Sequence, residues 1–292
     1  MSGLERSMAA TPETTIWHPA DIFSSNPVGY KGFAVIVLNQ QLEDQVAFYS
    51  QVWKNAVYHV GADGGANCVH DLNASNLENK NVLNLETVIG DLDSLRSDVK
   101  QYWHERGSEI IFDPDQYSTD MTKAVKYVKS FEIPREGELT PSKDESGADK
   151  LQKIKDGLEI KDIVCIGGLG GRVDQAMSAL HHLYIFQKES DYASGKMFLL
   201  SSEAITFVLK SGKHKIKVRE SFPGMGLGKN IGIIPLKEPS MITTEGLKWD
   251  VKNWPTEFGG QMSTSNHVQE DWVTVETTRD VLFTIDLVFT PV

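Results

Sequence analysis

Aspartates follow four of the short apolar runs in this sequence, each close to the point where the run ends. They are Asp63 after 57–60, Asp91 and Asp93 after 88–89, Asp120 in the segment after 110–112, and Asp174 in the segment after 164–166. If these runs are parallel strands, their carboxyl ends share one edge of a sheet, where ligands bind in open α/β folds. Clustered carboxylate oxygens favour Mg²⁺, which completes its shell with water and substrate phosphates. The pattern therefore predicts an enzyme that uses Mg²⁺ and a nucleoside triphosphate.

Glycines and basic side chains accompany the aspartates. Gly64-Gly65 and the glycine-rich run 167–171 allow sharp turns, and their amides can hold phosphate oxygens. Arg172 adds a fork of donors and Lys123 a point charge. Each feature alone is also typical of ordinary turns, and Thr119 is equally explained as a helix N-cap. Four acidic strand ends together favour a binding site over turns alone.

The elements that must position these residues alternate between strand and helix from about Gly32 to Leu200. Uninterrupted β-branched runs predict strands, and apolar residues at helical spacing predict helices. The predicted strands are 33–38, 56–60, 87–89, 109–112 and 162–166, and helices are predicted after the first strand and at 97–106, 121–130 and 173–187. Alternation of this kind predicts an α/β fold with a mainly parallel sheet.

After Leu200 the pattern changes to short strand-like runs separated by Gly, Pro, Asn and Ser. The predicted strands are 204–209, 214–218, 230–236, 241–244, 246–251, 272–277 and 281–289. This pattern predicts an all-β domain, either a sandwich or a barrel. We therefore expect an N-terminal arm over 1–31, an α/β catalytic domain over 32–200 with a charged surface insertion at about 132–161, and a β domain over 201–292.

Composition narrows the class of protein further. The formal net charge of −11 argues against non-specific binding of nucleic acid, and no apolar run approaches the length of a membrane span. With two cysteines and no segment resembling a signal peptide, a cytoplasmic protein is the expectation. The segment 168–173 lacks the third glycine of the dinucleotide fingerprint. The segment that ends in Gly228-Lys229 has Pro223 where a P-loop needs its first glycine, and no Ser or Thr follows Lys229.

Taken together and in order, these segments resemble the thiamine pyrophosphokinase family. The segments that carry the resemblance are ADGGAN at 62–67, GDLDS at 90–94, DQYSTD at 115–120 and GGRVD at 170–174. In the β-rich half, GLKW at 246–249 and STSN at 263–266 look like the family's substrate-side segments. The resemblance covers most of 32–292, although Gln175 stands where many members carry His.

The resemblance implies transfer of pyrophosphate from ATP to the hydroxyl of thiamine, giving thiamine diphosphate and AMP. It also implies a homodimer with its active site between subunits, and an α/β domain followed by a β-sandwich. The implied Mg²⁺ ligands are Asp91, Asp93 and Asp120, with Asp63 and Asp174 as further catalytic residues. The expected ATP-binding residues are Asp63, Gly64, Gly65, Asn67, Gln116, Thr119, Lys123, Gly171 and Arg172, and the thiamine-binding residues are Trp249, Ser263, Ser265 and Asn266.

Three other functions compete with this interpretation. The same carboxylate site suits a diphosphokinase for another alcohol, such as a pterin. A non-catalytic nucleotide- or thiamine-binding regulator is a second alternative, although an intact carboxylate set disfavours it. A purely structural dimerisation module is the third, and it leaves the repeated strand-end aspartates unexplained. Formation of AMP with thiamine, and not with pterin alcohols, distinguishes a thiamine pyrophosphokinase from all three alternatives.

Overall fold

The protein is described by a computed structural model that covers residues 14–24, 32–43, 45–76, 82–131, 160, 162–188, 195–222 and 224–289. Most of the predicted charged insertion at about 132–161 lies outside these residues. None of the helices in the described ranges has the length and apolar character needed to cross a membrane.

A parallel sheet forms the centre of the α/β part. Its strands are β2 (Phe33–Val37), β3 (Tyr58–Ala62), β4 (Thr87–Gly90), β5 (Glu109–Phe112), β6 (Asp162–Ile166) and β7 (Met197–Leu200). They lie side by side in the order β7-β6-β2-β3-β4-β5, and every neighbouring pair is parallel. All five residues of β2 are buried, as expected of a strand covered on both faces. The carboxyl ends of these strands therefore share one edge.

In the described residues, five α-helices accompany this sheet: α1 (Val46–Asn55), α2 (Gly65–Ser75), α3 (Ser97–Glu105), α4 (Asp120–Lys129) and α5 (Val173–Phe186). The helix that bears on the site is α4. Thr119 caps it, since its hydroxyl accepts a hydrogen bond from the amide of Thr122. Met121, Ala124 and Val125 bury its apolar face. Capping and packing together fix the first turn of α4.

The remaining described strands make the C-terminal part β-rich. A five-stranded sheet has the order β1 (Thr15–Trp17), β9 (Gly212–Lys217), β15 (Trp272–Thr277), β12 (Ser240–Glu245) and β13 (Trp254–Thr256). The other strands are β8 (Ala204–Leu209), β10 (Ser221–Phe222), β11 (Met225–Ile234), β14 (Ser263–His267) and β16 (Val281–Phe289). The predicted fold class, an α/β part with a mainly parallel sheet followed by a β-rich part, is confirmed.

Contacts between residues divide the described chain into two compact units. One contains 14–19, 208–220 and 227–285, and the other contains 20–24, the described residues from 32 to 207, 221–222, 224–226 and 286–289. Segments of the two units alternate along the sequence, so they do not correspond to a single boundary. The domain boundary predicted near Ser201 stays a prediction.

Part of the predicted N-terminal arm is ordered and packed. Besides β1, a 3₁₀ helix spans Pro19–Phe23, and its Phe23 ring lies 5.8 Å from that of Phe48. The side-chain amide of Gln51, on α1, donates to the carbonyl of Phe23 at 3.0 Å. The scattered apolar residues of this segment are too short a pattern to reveal this packing from sequence.

The strand predicted at 246–251 is wrong, because this segment is a turn apart from an isolated bridge at Leu247. Gly246 has a φ of 93°, outside the range of a strand. The carboxylate of Asp250 accepts hydrogen bonds from the amides of Gly246 at 3.0 Å and Leu247 at 3.2 Å, and from the Thr244 hydroxyl at 3.0 Å. Asp250 thus closes the turn, and it accepts hydrogen bonds from backbone amides that would otherwise be available to a neighbouring strand.

Candidate active site

Three carboxylates meet at the carboxyl edge of the parallel sheet. Asp63 follows β3, Asp91 follows β4, and Asp120 is the first residue of α4. Oxygen atoms of the three side chains lie within 4.8 Å of one another. Residues distant in the sequence are brought together here because parallel strands end on the same side.

Asp63 is the most buried of the three, with 2% of its surface exposed. Its φ of 44° is in the left-handed region, which aspartate tolerates better than most residues. One oxygen, Oδ2, accepts from the amide of Ser94 at 3.1 Å, whereas Oδ1 is buried and has no hydrogen-bond partner among the described residues. Burial, and secondarily the charge of Asp120, raise the pKa of this carboxyl.

Asp120 and Asp91 are in different electrostatic environments. Burial raises the pKa of Asp120, although the Nζ of Lys123 donates to its Oδ1 at 3.2 Å. Lys123 is itself 3% exposed, so its charge is directed at the site and away from solvent. Asp91 is the most solvated of the three, and a 2.9 Å hydrogen bond from the amide of Gln116 lowers its pKa. The centre therefore combines one buried carboxylate, Asp63, with the half-buried Asp120 and the more solvated Asp91.

Gly90 makes this close approach possible. A Cβ at this position would lie 2.6 Å from the Cβ of Asp63 and 3.0 Å from Oδ1 of Asp120, so any side chain would force the two aspartates apart. The arrangement fits a divalent cation, because it offers hard oxygen ligands, one of which, the buried Oδ1 of Asp63, has no hydrogen-bond partner in the described part of the chain. A bound cation would also offset the repulsion that raises the Asp63 pKa.

A cleft of about 480 Å³ opens next to the carboxylates. Its wall includes seven of the predicted residues: Asp91, Gln116, Thr119, Asp120, Lys123, Gly171 and Arg172. The glycine-rich run after β6 and the N-terminal half of α5 also line the cleft. The size and the mixed lining of carboxylates, amides and basic groups suit a small polyanion bound with a cation.

Six of the predicted catalytic and ATP-binding residues lie outside this wall: Asp63, Gly64, Gly65, Asn67, Asp93 and Asp174. Asp93 is exposed and outside the group of three, and its carboxylate accepts from the hydroxyl of Ser94. Asp174 is paired with the Arg172 guanidinium at 2.6 Å, which lowers the Asp174 pKa. Asn67 donates to the carbonyl of Ser94 at 2.7 Å and accepts from the amide of Arg96, so it secures the loop after β4.

The glycines at 64–65 pack against the end of β2. A Cβ on Gly65 would lie 2.0 Å from the carbonyl oxygen of Val37, and a Cβ on Gly64 would meet the side chain of Asn39 at 2.4 Å. Gly65 is thus required for close packing of α2 on the sheet. The structure shows this packing role, and the phosphate-binding role that the sequence predicts for both glycines stays a prediction.

Asn39 and Gln40 line the cleft and were missed by the sequence reasoning. They follow β2, at the centre of the sheet, and therefore reach the same edge as the aspartates. Gln40 lies against the glycine-rich run, where a Cβ on Gly170 would meet its Nε2 at 2.3 Å. Their position directly after a buried strand is a signal in the sequence that could have identified them.

The residues expected to bind thiamine cluster in the β-rich unit. Trp249 is 52% exposed, so it is not a core residue. Asn266 is buried and holds the Trp249 backbone on both sides, accepting from its amide at 3.1 Å and donating to its carbonyl at 2.9 Å. Ser263 and Ser265 belong to β14, and Ser265 is exposed with a φ of 54°. The structure thus presents an indole face on a rigid support.

Two further groups flank the Trp249 indole and were not predicted. The ring of His267 lies 5.1 Å from it, and the Nζ of Lys248 lies 4.7 Å from its centroid. The ammonium group of Lys248 thus lies over this ring, which indicates that the indole can accept a positively charged group.

The fold and the cleft define an α/β protein of the kind that transfers phosphate groups, with a carboxylate centre and basic side chains at the carboxyl edge of a parallel sheet. Comparison with known proteins then gives the family. A family model described as "Thiamin pyrophosphokinase, catalytic domain" matches residues 49–193, and one described as "Thiamin pyrophosphokinase, vitamin B1 binding domain" matches residues 213–282. The chain belongs to the thiamine pyrophosphokinase family.

Individual relatives agree with these matches. The chain is 32% identical over 264 residues to thiamine pyrophosphokinase 1 of Arabidopsis thaliana, an alignment that covers 87% of this chain and 86% of the relative. The crystal structure of yeast thiamin pyrophosphokinase superposes with a TM-score of 0.76 at 25% identity, covering 98% of this chain and 95% of that one. The Candida albicans enzyme gives a TM-score of 0.71 at 27% identity, covering 98% of this chain and 97% of the other. The family and the type of activity predicted from the sequence are confirmed.

Proposed function

We propose that this member of the family transfers the pyrophosphate group of ATP, bound with Mg²⁺, to the hydroxyl of thiamine, releasing AMP. The observation that carries the proposal is the group of three carboxylates, Asp63, Asp91 and Asp120, beside a cleft that also contains the buried Lys123. The formal net charge of −11 makes local positive charge necessary for binding a triphosphate.

Mg²⁺ is proposed to bind Asp91 and Asp120, with Asp63 as the third ligand. Asp93, which the sequence resemblance also implies, lies next to this group and is kept as a ligand through water. When bound, the cation neutralises charge on the phosphate oxygens. Asp63 supports this assignment because its buried Oδ1 has no other partner among the described residues.

The side chains of the cleft would then bind and orient the triphosphate. Lys123 and Arg172 both line the cleft and supply positive charge, and Gln116 adds amide donors. Phosphoryl-type transfer depends mainly on positioning and charge neutralisation, so the chain needs no nucleophile of its own. The nucleophile is the primary hydroxyl of thiamine.

Asp63 and Asp174 are the two candidates for the proton acceptor. The ion pair with Arg172 lowers the pKa of Asp174 and makes it a weaker base. Burial raises the pKa of Asp63, but a bound cation would lower it again. An aspartate is therefore proposed for this step without a choice between the two.

Thiamine is a flat cation, and the exposed face of Trp249 suits such a ligand. Ser263, Ser265 and Asn266 are proposed to complete this side, with Asn266 acting through the Trp249 backbone. Following the resemblance, we propose a homodimer with its active site between subunits. Because Cys68 and Cys165 are both free thiols, the cytoplasm is the proposed compartment.

The test is incubation with Mg²⁺, ATP and thiamine, followed by chromatography for AMP and thiamine diphosphate. The same assay with a pterin alcohol identifies the rival substrate class. Asp120→Asn should lose at least about a hundredfold in kcat/KM, corresponding to ~2.7 kcal/mol of transition-state stabilisation. Asp113→Asn is the matched control, since Asp113 only caps a turn by accepting from the amide of Asp115. Full activity of Asp120→Asn, or equal losses in both variants, contradicts the proposed site.

A further inference from the structure

His182 is a buried histidine whose two ring nitrogens both have partners. It lies on α5 and is 4% exposed. Its Nδ1 is 2.6 Å from the carbonyl oxygen of Ser178. Its Nε2 is 2.8 Å from Oγ1 of Thr119 and 3.0 Å from Oγ1 of Thr122. The ring therefore connects α5 to the beginning of α4.

These contacts fix the tautomer of the ring. The Ser178 carbonyl is only an acceptor, so Nδ1 must carry the hydrogen. Nε2 of the neutral ring is then an acceptor, and a threonine hydroxyl donates a hydrogen bond to it. Burial lowers the pKa of His182, which agrees with a neutral ring.

The hydroxyl that His182 orients also caps α4. Thr119 Oγ1 accepts from the amide of Thr122 at 3.2 Å, so its lone pairs must face α4. Its own proton is then free to point at Nε2 of His182, at 2.8 Å. The next residue along the chain is Asp120, and Lys123 follows one turn later with its Nζ on the Asp120 carboxylate. A change in the cap would therefore move both charged groups of the site.

We propose that His182 is a positioning residue, which orients the Thr119 hydroxyl and thereby holds the N-terminal turn of α4, with Asp120, in the geometry that binds the cation. The inference rests on the proposed role of Asp120 as a ligand. His182 itself does not line the cleft, so its effect passes through Thr119. Its distinctive contribution is an acceptor at Nε2, and this separates it from a residue that only fills space.

Two substitutions separate the acceptor from the rest of the ring. His182→Gln places an amide oxygen near the position of Nε2 and keeps an acceptor for Thr119. His182→Asn is one methylene shorter, so it keeps a donor for Ser178 and does not reach Thr119. Thr122→Val removes the alternative hydroxyl and leaves the backbone hydrogen bond of the cap in place. Comparison of the three variants shows whether the cation site depends on the acceptor at Nε2, the donor at Nδ1 or the Thr122 hydroxyl.

The measurement is binding of Mn²⁺ to the nucleotide-free protein, followed by electron paramagnetic resonance, together with the melting temperature and the kcat/KM for ATP. His182→Asn should weaken Mn²⁺ binding on the order of tenfold, the factor that corresponds to one buried hydrogen bond. His182→Gln and Thr122→Val should stay within about twofold of the parent protein. His182→Gln and His182→Asn should have similar melting temperatures, because both remove the ring.

Equal weakening by His182→Gln and His182→Asn overturns the proposal, because the ring would then act only through packing. Parent-like Mn²⁺ binding by His182→Asn also overturns it. Asp120→Asn is measured in parallel. If it binds Mn²⁺ as the parent does, the cation site itself is wrong; if it loses binding while His182→Asn does not, only the role of His182 is wrong.

Discussion

Replacing Asp63 by asparagine should raise the stability of the metal-free protein while removing activity. Asp63 is 2% exposed and lies within 4.8 Å of the Asp120 carboxylate. At an effective dielectric constant of about 20, two charges at ~4.8 Å repel by about 3.5 kcal/mol. Lys123 already neutralises part of the Asp120 charge, so we expect about 1–2 kcal/mol of this repulsion to be recovered.

Asparagine is also the best-matched replacement for the local backbone. It tolerates the φ of 44° at this position, and its oxygen can still accept from the Ser94 amide. Its Nδ2 would take the place of the unpartnered Oδ1 and could donate to Asp120. A gain of about 1–2 kcal/mol corresponds to a rise in melting temperature of roughly 2–8 °C for a protein of this size.

The assay is differential scanning calorimetry in EDTA and again with saturating Mg²⁺, alongside AMP formation. The parent protein should gain more from Mg²⁺ than Asp63→Asn does, because the variant has lost one ligand. Asp115→Asn is the control: Asp115 is exposed and its hydrogen bonds, led by the one from the Ser118 hydroxyl, lower its pKa, so neutralising it should not stabilise the protein. A lower melting temperature of Asp63→Asn in EDTA, or undiminished activity, would refute the reasoning.

Three further predictions follow from single positions. Gly90→Ala should lower the free energy of unfolding by about 1–3 kcal/mol and abolish AMP formation, because the added Cβ separates the aspartates. Gly107→Ala, with a φ of +85° and no atom within 4 Å of its added Cβ, should lower it by about 1 kcal/mol and keep activity. Equal activity of the two variants in the AMP assay would contradict this prediction. In steady-state kinetics, Trp249→Ala should raise the KM for thiamine about tenfold and leave the KM for ATP unchanged. Trp249→Phe should have a KM for thiamine between those of the parent protein and Trp249→Ala. A parallel change in both KM values would argue against a thiamine contact. Burial lowers the pKa of His214, so the unfolded chain takes up this proton at higher pH than the folded chain, and the free energy of unfolding falls as pH drops below about 6.5. In urea titrations at pH 5.5 and 7.5, His214→Gln should reduce the difference in unfolding free energy between the two pH values. An unchanged difference would count against this prediction.

The buried strands of the parallel sheet could be predicted from sequence because they are uninterrupted apolar runs. Asp162–Ile166 has the bounds that its apolar run indicates, and four of its five residues are buried. β14, by contrast, reads as a turn, because its sequence STSNH is polar and only Asn266 is buried. The segment 246–251 reads as a strand but is a turn closed by Asp250. Local pattern therefore identified buried strands well and confused exposed strands with turns.

The candidate site was predictable only as far as topology determines it. Parallel strands bring their ends to one edge, and this placed Asp91 and Asp120 together from sequence alone. Which of the neighbouring aspartates completes the group depends on backbone directions that the sequence does not reveal: the left-handed φ of Asp63 turns its side chain into the group, while Asp93 stays outside it. The partners of His182 were missed for a similar reason, since α4 and α5 are far apart in the sequence.

The carboxylate centre concentrates features that oppose folding. Asp63 has a left-handed backbone, a buried oxygen without a partner among the described residues, and a neighbouring charge of the same sign. A sequence selected only for stability would replace this aspartate by a neutral residue, because each of these features costs free energy. Their coincidence at one position is explained if a cation occupies the centre in the working enzyme, since its charge satisfies the oxygen and offsets the repulsion together. The buried Lys123, whose Nζ donates to the Asp120 carboxylate, partly compensates the negative charge of the same centre.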